Sequence, residues 1–512
     1  MLRSESRIDG YIHFPVVAYF WSAITALRHP NCSKAQKTIM AMGEQRLHIA
    51  MLPWLAFGHM IPYLHLAFAL ATAGHRVSFL SSPRNNRRLP KIPPHLTPLI
   101  AFVDLPLPRV DGLPEEAEAT VDVPADKGPL LKIAYDFLQN PVKKFLADES
   151  PDVILHDFLP YWVPAAARDL GVLPVLLFAF NAASTGFTGP PEVLAEEGRR
   201  RRWPSPESMT SPPEWFPPGS TVAFRRREAE QFYSEVFTTN TSGIADVERF
   251  RLAVEGCTAI ALRTCPEYEG EYLDVLRRIY RKPVFPVGLI PPATSPAASA
   301  DRNGRWGQIF GWLDAQPPKS VVFVSFGSEY KLSESEVREL AYGLELSNVR
   351  FLWALRRPAW VTGGDEEALP KGFAARPEGR GAVCFGWAPQ LEILAHPSVG
   401  GSLFHSGWGS IIETLRYGNA LIVLPNIFDQ GLNARLLVEK GIAVEVERGD
   451  DGSYDRDGVA KALQMVMLSN EVEGLRRKAR EMAAVFADKE LHDRYLKEFI
   501  NFLLGARLAT NH

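Results

Sequence analysis

Residues 387–430 read WAPQLEILAHPSVGGSLFHSGWGSIIETLRYGNALIVLPNIFDQ, and this stretch decides the fold. An apolar run over residues 399–404 stops at the small and polar residues 405–410, and a helical pattern begins at Ile411. Small residues let the backbone turn tightly and approach a ligand closely. The helix that follows points free N–H groups and its positive dipole end at the turn, which favours a bound phosphate. The stretch therefore predicts an α/β unit with an anion site at the end of a strand.

The side chains of this stretch suit the parts of a nucleotide. His405 and Ser410 add hydrogen-bond donors for a phosphate. Glu413 lies three residues after Ser410 and shares its helix face, where a carboxylate would accept hydrogen bonds from two ribose hydroxyls. Trp387 offers a flat face for a base, and Gln390 would bond the same ribose.

The stretch ends in Asp429 and Gln430, which offer acceptors and a donor for sugar hydroxyls. These features together predict a nucleotide-sugar site. The stretch resembles the signature box of the plant UDP-dependent glycosyltransferases of secondary metabolism, known as family 1. The positions that match the box are Trp387, Pro389, Gln390, His396, His405, Gly407, Trp408, Ser410, Glu413, Gly418, Pro425, Asp429 and Gln430.

The resemblance implies a GT-B fold, an α/β architecture in which two Rossmann-like domains face each other across a cleft. The C-terminal domain would bind the UDP-sugar, with Trp408 and Gly409 among the donor-binding residues, and the N-terminal domain would bind the acceptor. One position departs from the box, which has Asn after its second Trp where this chain has Gly409. Because that Asn helps to hold the phosphate region, its loss implies weaker donor binding or a different donor preference.

Length and composition agree with two ordinary globular domains. The chain has 512 residues, which is too long for one hydrophobic core. A net charge of −3 gives no indication of nucleic acid or an anionic membrane as a partner. The four cysteines have no metal-type spacing, and we interpret them as reduced thiols of a cytoplasmic protein.

The chain divides into five segments. We predict an extension over 1–44, an acceptor domain over 45–290, a linker over 291–308, a donor domain over 309–490, and a C-terminal helix over 491–512 that returns to the first domain, as it does in the family. The linker contains the run PPATSPAASADRN, which has no apolar period. The extension is expected to be poorly ordered. Its apolar stretch is marginal in length for a membrane span, so an anchor stays open as an alternative.

Alternating strands and helices predict a parallel sheet in each domain, with ligands at the carboxyl ends of the strands. A helix is expected to open at Pro62, and residues 183–235, which are rich in Pro, Ser, Gly and Arg, are expected to form a solvated loop. A contribution of this loop to a lid over the acceptor stays open. The predicted strands are Leu47–Leu52, His75–Ser81, Val153–Leu155, Leu173–Phe180, Val321–Ser325 and Phe351–Leu355.

Residues 53–59 read PWLAFGH and join the first strand to its helix, which places His59 above the sheet near a helix N-terminus. The positive end of the helix favours a neutral ring that can accept a proton. Asp157 follows the strand at Val153–Leu155, and alternation turns the neighbouring His156 to the other face. The resemblance implies that His59 is the catalytic base and Asp157 its partner. The PWLAFGH sequence resembles that of the subgroup that adds a sugar to an already glycosylated small molecule.

Ser328 ends the first strand of the second domain, where its hydroxyl and the Gly327 amide would bind a phosphate in the family. The pair Asp455 and Asp457 has the spacing of metal-using glycosyltransferases, but a solvated turn is the better interpretation, and we expect no metal ion. No GxGxxG follows a predicted strand, which disfavours an oxidoreductase with a dinucleotide cofactor.

The predicted function is the metal-independent, inverting transfer of a hexose from a UDP-sugar to a hydroxyl of a glycosylated plant metabolite, such as a flavonoid, terpenoid or steroidal glycoside. UDP-glucose is the first expected donor and UDP-rhamnose the second. The UDP-sugar is a co-substrate, no cofactor is expected, and the protein would act as a cytoplasmic monomer. Two alternatives stay open, namely an inactive nucleotide-sugar-binding homologue and a membrane-anchored form of the transferase.

Overall fold

The computed structural model describes residues 46–195, 202–291, 305–373 and 380–510. The predicted N-terminal extension and most of the predicted linker lie outside these ranges. Within them, no helix combines the length and the apolar character that crossing a membrane requires.

The described strands of the N-terminal half form one parallel sheet in the order β3-β2-β1-β4-β5-β6-β7. Its strands are β1 (His48–Leu52), β2 (Arg76–Ser81), β3 (Ile100–Asp104), β4 (Val153–His156), β5 (Leu173–Phe178), β6 (Ala259–Leu262) and β7 (Val284–Pro286). Strands β2 and β3 lie on one side of β1, and β4 to β7 lie on the other side. The strand order therefore reverses between β1 and β4. A crevice opens at such a reversal, beyond the carboxyl ends of the two strands.

The described strands of the C-terminal half form a second parallel sheet in the order β10-β9-β8-β11-β12-β13. Its strands are β8 (Val321–Ser325), β9 (Arg350–Leu355), β10 (Gly381–Phe385), β11 (Val399–Phe404), β12 (Ala420–Val423) and β13 (Ala443–Glu445). Here the order reverses between β8 and β11. The predicted class, two parallel-sheet α/β domains, is confirmed.

Helices connect the strands and cover the sheets. Those of the N-terminal half are α1 (Phe57–Thr72), α2 (Pro83–Arg88), α3 (Gly128–Asp136), α4 (Gln139–Glu149), α5 (Val163–Asp169), α6 (Ala182–Thr188), α7 (Pro191–Leu194), α8 (Arg226–Phe232), α9 (Asp246–Gly256) and α10 (Pro266–Tyr280). Those that follow are α11 (Arg305–Asp314), α12 (Glu334–Leu346), α13 (Gln390–Leu394), α14 (Trp408–Leu415), α15 (Gln430–Glu439), α16 (Arg456–Leu468), α17 (Glu473–Phe486) and α18 (Lys489–Thr510).

The first sheet is covered on both faces because successive residues of β1 face different cores. Ile49 and Met51 pack with α1 and α18, whereas Ala50 and Leu52 pack with α3, α4 and α5. The last helix of the chain thus packs on the first sheet, and the rings of Phe502 and Phe285 lie 4.5 Å apart there. Burial on both faces explains why these strands are apolar throughout.

Two local predictions are wrong. Helix α1 begins at Phe57 and includes Pro62, so His59 lies in its first turn rather than before it. The described part of the segment predicted as a solvated loop is packed instead. Trp203 is 1% exposed and stacks on Phe187 of α6, with ring centroids 4.8 Å apart. Aromatic residues spaced among Pro and Arg supply apolar area that composition alone conceals.

Candidate active site

His59 and Asp157 meet at the reversal point of the first sheet, because α1 starts after β1 and Asp157 directly follows β4. The Asp157 carboxylate is fully buried, and Oδ2 lies 2.7 Å from Nδ1 of His59. The backbone N–H of Trp54 donates to the same oxygen at 3.1 Å, and the N–H of Phe158 donates to Oδ1 at 2.8 Å. These bonds fix the carboxylate. With Nδ1 as the donor to Asp157, Nε2 of His59 is the nitrogen that can accept a proton.

The pKa of His59 is raised above its ordinary value, not lowered as the helix end alone would suggest. Burial lowers the pKa, but the charge of Asp157 and its hydrogen bond outweigh burial, and Asp429 and Glu329 of the second domain raise the pKa further. The neighbouring His156 is buried, its Nδ1 lies 2.8 Å from the carbonyl oxygen of Asp157, and burial lowers its pKa to about 4.

His405 and Ser328 lie at the reversal point of the second sheet, where the ends of β8 and β11 are adjacent. A Cβ on Gly327, whose φ is +68°, would lie 2.7 Å from Cε1 of His405, and a Cβ on Gly407 would lie 2.5 Å from Nε2. Two glycines therefore make room for the imidazole between the loops. Burial lowers the pKa of His405 to about 4, so the ring is neutral at pH 7. Ser410 lies close by, in the first turn of α14.

Trp387, Gln390 and Glu413 form the next part of the site. Nε2 of Gln390 donates a 2.6 Å hydrogen bond to Oε2 of Glu413, so the two predicted ribose ligands are adjacent. Burial raises the pKa of Glu413, while Gln390 and Arg263 oppose the rise. Trp387 is 78% exposed, which is unusual for so large an apolar ring. Its faces are available to a planar ligand.

Asp429 and Gln430 lie where β12 leads into α15. Oε1 of Gln430 accepts the backbone N–H groups of Asn426 at 3.0 Å and Ile427 at 3.1 Å, which closes the turn before the helix. Burial raises the pKa of Asp429, and the hydrogen bond from Asn433 and the charge of His59 lower it. Asn433 donates to Oδ2 of Asp429, and its Oδ1 accepts from Nδ2 of Asn181, so Asp429 lies beside the contact between the two domains.

The side chain of Trp408, which was predicted to be among the donor-binding residues, lies instead between the two domains. Its side chain is 4% exposed, stacks on Tyr268 with ring centroids 5.4 Å apart, and donates from Nε1 to the carbonyl oxygen of Arg263 at 2.7 Å. The indole therefore docks α14 onto the first domain, and only the backbone of Trp408 is left to face the turn. Gly409, the next residue, lies beside the guanidinium of Arg263.

Sequence reasoning missed Arg263 and Glu329. Arg263 directly follows β6, whose short sequence AIAL is not among the predicted strands. A charged residue after an apolar run was the available signal, as it was for Asp157. Glu329 follows Ser328, and burial raises its pKa while Thr120 and His59 of the first domain oppose the rise.

Of the acidic pair Asp455 and Asp457, which was interpreted as part of a solvated turn, one member caps a helix. Asp455 caps α16, since Oδ1 accepts the backbone N–H of Gly458 at 2.8 Å. Across the described ranges, no group of three His, Cys, Asp or Glu side chains is placed to hold a metal ion.

Comparison with known proteins finds relatives along nine-tenths of the chain. A profile for the family described as UDP-glucoronosyl and UDP-glucosyl transferase matches residues 297–482. UDP-glycosyltransferase 91C1 of Arabidopsis thaliana is 43% identical over 461 residues, which are 90% of this chain and 97% of that protein. Soyasaponin III rhamnosyltransferase of Glycine max is 42% identical over 470 residues, covering 91% of this chain and 97% of that protein.

Solved structures share the fold. UGT73P12 of Glycyrrhiza uralensis, crystallised with glycyrrhetinic acid 3-O-monoglucuronide, superimposes with a TM-score of 0.74 at 21% identity and covers 91% of this chain and 98% of its own. Identity above 40% over nine-tenths of the chain is stronger evidence of family membership than this structural similarity. The chain belongs to the plant UDP-glycosyltransferases of family 1, enzymes that transfer a hexose from a UDP-sugar to a small-molecule acceptor.

Proposed function

We propose that this protein transfers a hexose, with inversion at the anomeric carbon, from a UDP-sugar to a hydroxyl of a glycosylated small molecule. The observation that carries the proposal is the hydrogen-bonded His59–Asp157 pair at the reversal point of the first sheet. A fixed carboxylate behind an imidazole is the arrangement of a general base and its orienting group.

The donor would lie along the carboxyl edge of the second sheet. Trp387 would stack on the uracil, and Glu413, oriented by Gln390, would accept hydrogen bonds from the ribose. The diphosphate would lie at the first turn of α14, with donors from His405 and Ser410. Ser328, three residues after the end of β8, would contribute its hydroxyl to the same phosphate position.

The chemistry follows from these placements. Nε2 of His59 would take the proton of the acceptor hydroxyl, and Asp157 would stabilise the imidazolium that forms. The acceptor oxygen would bond to the anomeric carbon as the bond from that carbon to the β-phosphate oxygen breaks. UDP would leave with the additional negative charge, which His405, Ser410 and the N-terminus of α14 would stabilise. We propose that no metal ion is needed, because these donors carry the charge.

The transferred sugar would be held by Asp429 and Gln430. We propose UDP-glucose as the first donor and UDP-rhamnose as the second. The name of the soybean relative, a rhamnosyltransferase at 42% identity, supports including the second. The PWLAFGH segment supports an acceptor that already carries a sugar, such as a flavonoid or terpenoid glycoside.

A donor-by-acceptor activity panel tests the proposal. Purified full-length protein is incubated with UDP-glucose or UDP-rhamnose and with matched pairs of glycosides and their aglycones. Released UDP and product mass are measured, and the anomeric coupling of the product is read by NMR. We expect UDP release that depends on the acceptor, preference for the glycoside of each pair, and inverted stereochemistry. Donor binding without turnover on any acceptor would instead favour an inactive binder, and retained stereochemistry would contradict the mechanism.

A further inference from the structure

Arg263 is a buried arginine at the carboxyl end of β6, and its side chain is only partly satisfied. The residue is 4% exposed, Nε donates to the carbonyl oxygen of Leu289 at 2.7 Å, and Nη2 donates to that of Ile290 at 3.2 Å. Nη1 makes no hydrogen bond to any residue in the described ranges. Nη1 is thus a charged donor that the described protein groups leave without an acceptor, so the site is suited to an anionic or polar ligand atom.

The free end of this guanidinium faces the first turn of α14 in the other domain. A Cβ built on Gly409 would lie 3.8 Å from Nη1 and would meet no other side chain within 4 Å. The glycine thus leaves open the space between the helix and the arginine. Glu413, one turn later on the same helix, attracts the guanidinium, and although burial lowers the pKa of Arg263 to about 10, the group is charged at neutral pH.

We propose that Arg263 is a further donor-binding residue whose Nη1–H donates to the diphosphate of the UDP-sugar through the space at Gly409. This inference rests on the proposed function, which places the diphosphate at the first turn of α14. Two backbone carbonyls already hold the guanidinium, so little side-chain entropy is lost when it binds. Hydrogen bonds between arginine and phosphate are among the strongest that a protein makes. The arginine would act where the signature box has its asparagine.

The position of the residue has a consequence for the donor. Because β6 belongs to the first sheet and α14 to the second, a diphosphate bound by Arg263 and Ser410 would contact both domains. Uridine, which has no phosphate, would contact only the Trp387 and Glu413 end of the site. The two ligands therefore separate a phosphate contact from a general effect on the fold.

The test compares the dissociation constants of UDP and uridine, measured by calorimetry on the same preparation of each variant. Arg263→Gln removes the charge and keeps an amide donor at the chain position of Nε, the atom that bonds to the carbonyl oxygen of Leu289. We expect its UDP dissociation constant to rise about 10-fold or more, with that of uridine within about 2-fold of wild type. Arg249→Gln is the matched control, since Arg249 is equally buried in the same half but pairs with Asp136. It should leave the ratio of the two constants unchanged.

Equal changes for UDP and uridine in Arg263→Gln, or no change in either, would overturn the inference while leaving the proposed function in place. If wild-type protein binds neither UDP nor uridine, the proposed function fails and the inference with it. If Arg263→Gln does not fold, a crystal structure of the wild type with UDP decides. Nη1 within hydrogen-bonding distance of a phosphate oxygen supports the inference, and a phosphate group beyond that distance overturns it.

Discussion

Oδ2 of Asp157 lies 2.7 Å from Nδ1 of His59 and also accepts the backbone N–H of Trp54 at 3.1 Å. The carboxylate is thus fixed by the strand-to-helix connection that carries the histidine itself. Because Oδ2 accepts a hydrogen bond from Nδ1, the neutral ring carries its proton on Nδ1. Nε2 is then free to take the proton of the substrate hydroxyl. The relationship yields two predictions about catalysis.

Asp157→Asn should reduce kcat by about 100-fold or more, because the amide cannot stabilise the imidazolium and no longer fixes the tautomer. The Michaelis constant for the UDP-sugar should change by less than about 2-fold, since Asp157 lies in the acceptor domain. Steady-state kinetics with the donor varied at saturating acceptor measures both quantities. A variant that loses donor affinity but keeps kcat would contradict this assignment.

The pH dependence of transfer should report the same pair. The raised pKa of His59 means that the ring is protonated, and unable to act as a base, at pH values below that pKa. The rate should therefore fall as the pH decreases through it. In Asp157→Asn the burial that lowers the pKa remains and the charge that raises it is lost, so the acid limb of the profile should move to lower pH. We would measure kcat/KM for the acceptor against pH in both proteins, and an acid limb that stays in place would refute the coupling.

The two tryptophans of the signature stretch should behave differently. Trp387 is 78% exposed, so Trp387→Ala should leave the free energy of unfolding within about 0.5 kcal/mol of wild type. Loss of base stacking should weaken UDP binding by about 1–3 kcal/mol. Trp408 is 4% exposed and bonded to Arg263, so Trp408→Ala should cost about 3–5 kcal/mol of stability.

Denaturant unfolding and UDP calorimetry on both variants provide the measurements, with Trp387→Phe as a control that keeps an aromatic face. The opposite pattern, a destabilised Trp387→Ala and a stable Trp408→Ala with weakened UDP binding, would show that the predicted donor contacts are wrongly placed.

Sequence patterns predicted the strands that apolar runs define. They did not predict whether a side chain such as that of Trp408 contacts a ligand or the other domain. Strand β8 has the predicted bounds, because an apolar run that ends at Ser325 defines it. Trp408 stood in a motif associated with ligand binding, yet its indole is used between domains. No local pattern distinguishes these uses, since the partner Tyr268 lies 140 residues earlier in the chain (408 − 268 = 140).

The candidate site was likewise predicted from the sequence only in part. His59 and Asp157 were paired through the family resemblance, and the fold brings their side chains to hydrogen-bonding distance. Arg263 could not be related to Gly409 from sequence, because their contact depends on how the two domains pack. The direction of the His59 pKa shift was missed because the helix end was weighed without the charge and hydrogen bond of Asp157, and Asp429 and Glu329 of the other domain raise the pKa further.

Asn433 should be a positioning residue for the transferred sugar. Its Nδ2 donates to Oδ2 of Asp429 at 2.8 Å and to the carbonyl oxygen of Ser406 at 3.0 Å, and its Oδ1 accepts from Asn181 and Ser184 of the first domain. Asn433→Ala would leave buried donors unpaired at about 1–3 kcal/mol each and release Asp429. We expect a lower Tm and a Michaelis constant for the UDP-sugar raised about 10-fold, with the dissociation constant of UDP unchanged.

Asn419→Ala is the matched control for this variant. Asn419 is also fully buried in the second domain, but it bonds to Leu394 and Lys319. It should lower Tm without changing the Michaelis constant for the donor. If both variants change that constant equally, the effect of Asn433 is one of general stability and not of Asp429 placement.

The central claim, that His59 is the base facing a donor bound by the second domain, is tested most directly by two measurements on one variant, His59→Ala. Single-turnover transfer and UDP affinity are compared with those of wild type and of His95→Ala, which alters an exposed histidine. The account predicts a transfer rate reduced about 1,000-fold in His59→Ala, a UDP dissociation constant within about 2-fold of wild type, and no change in His95→Ala. Transfer at the wild-type rate in His59→Ala would contradict it.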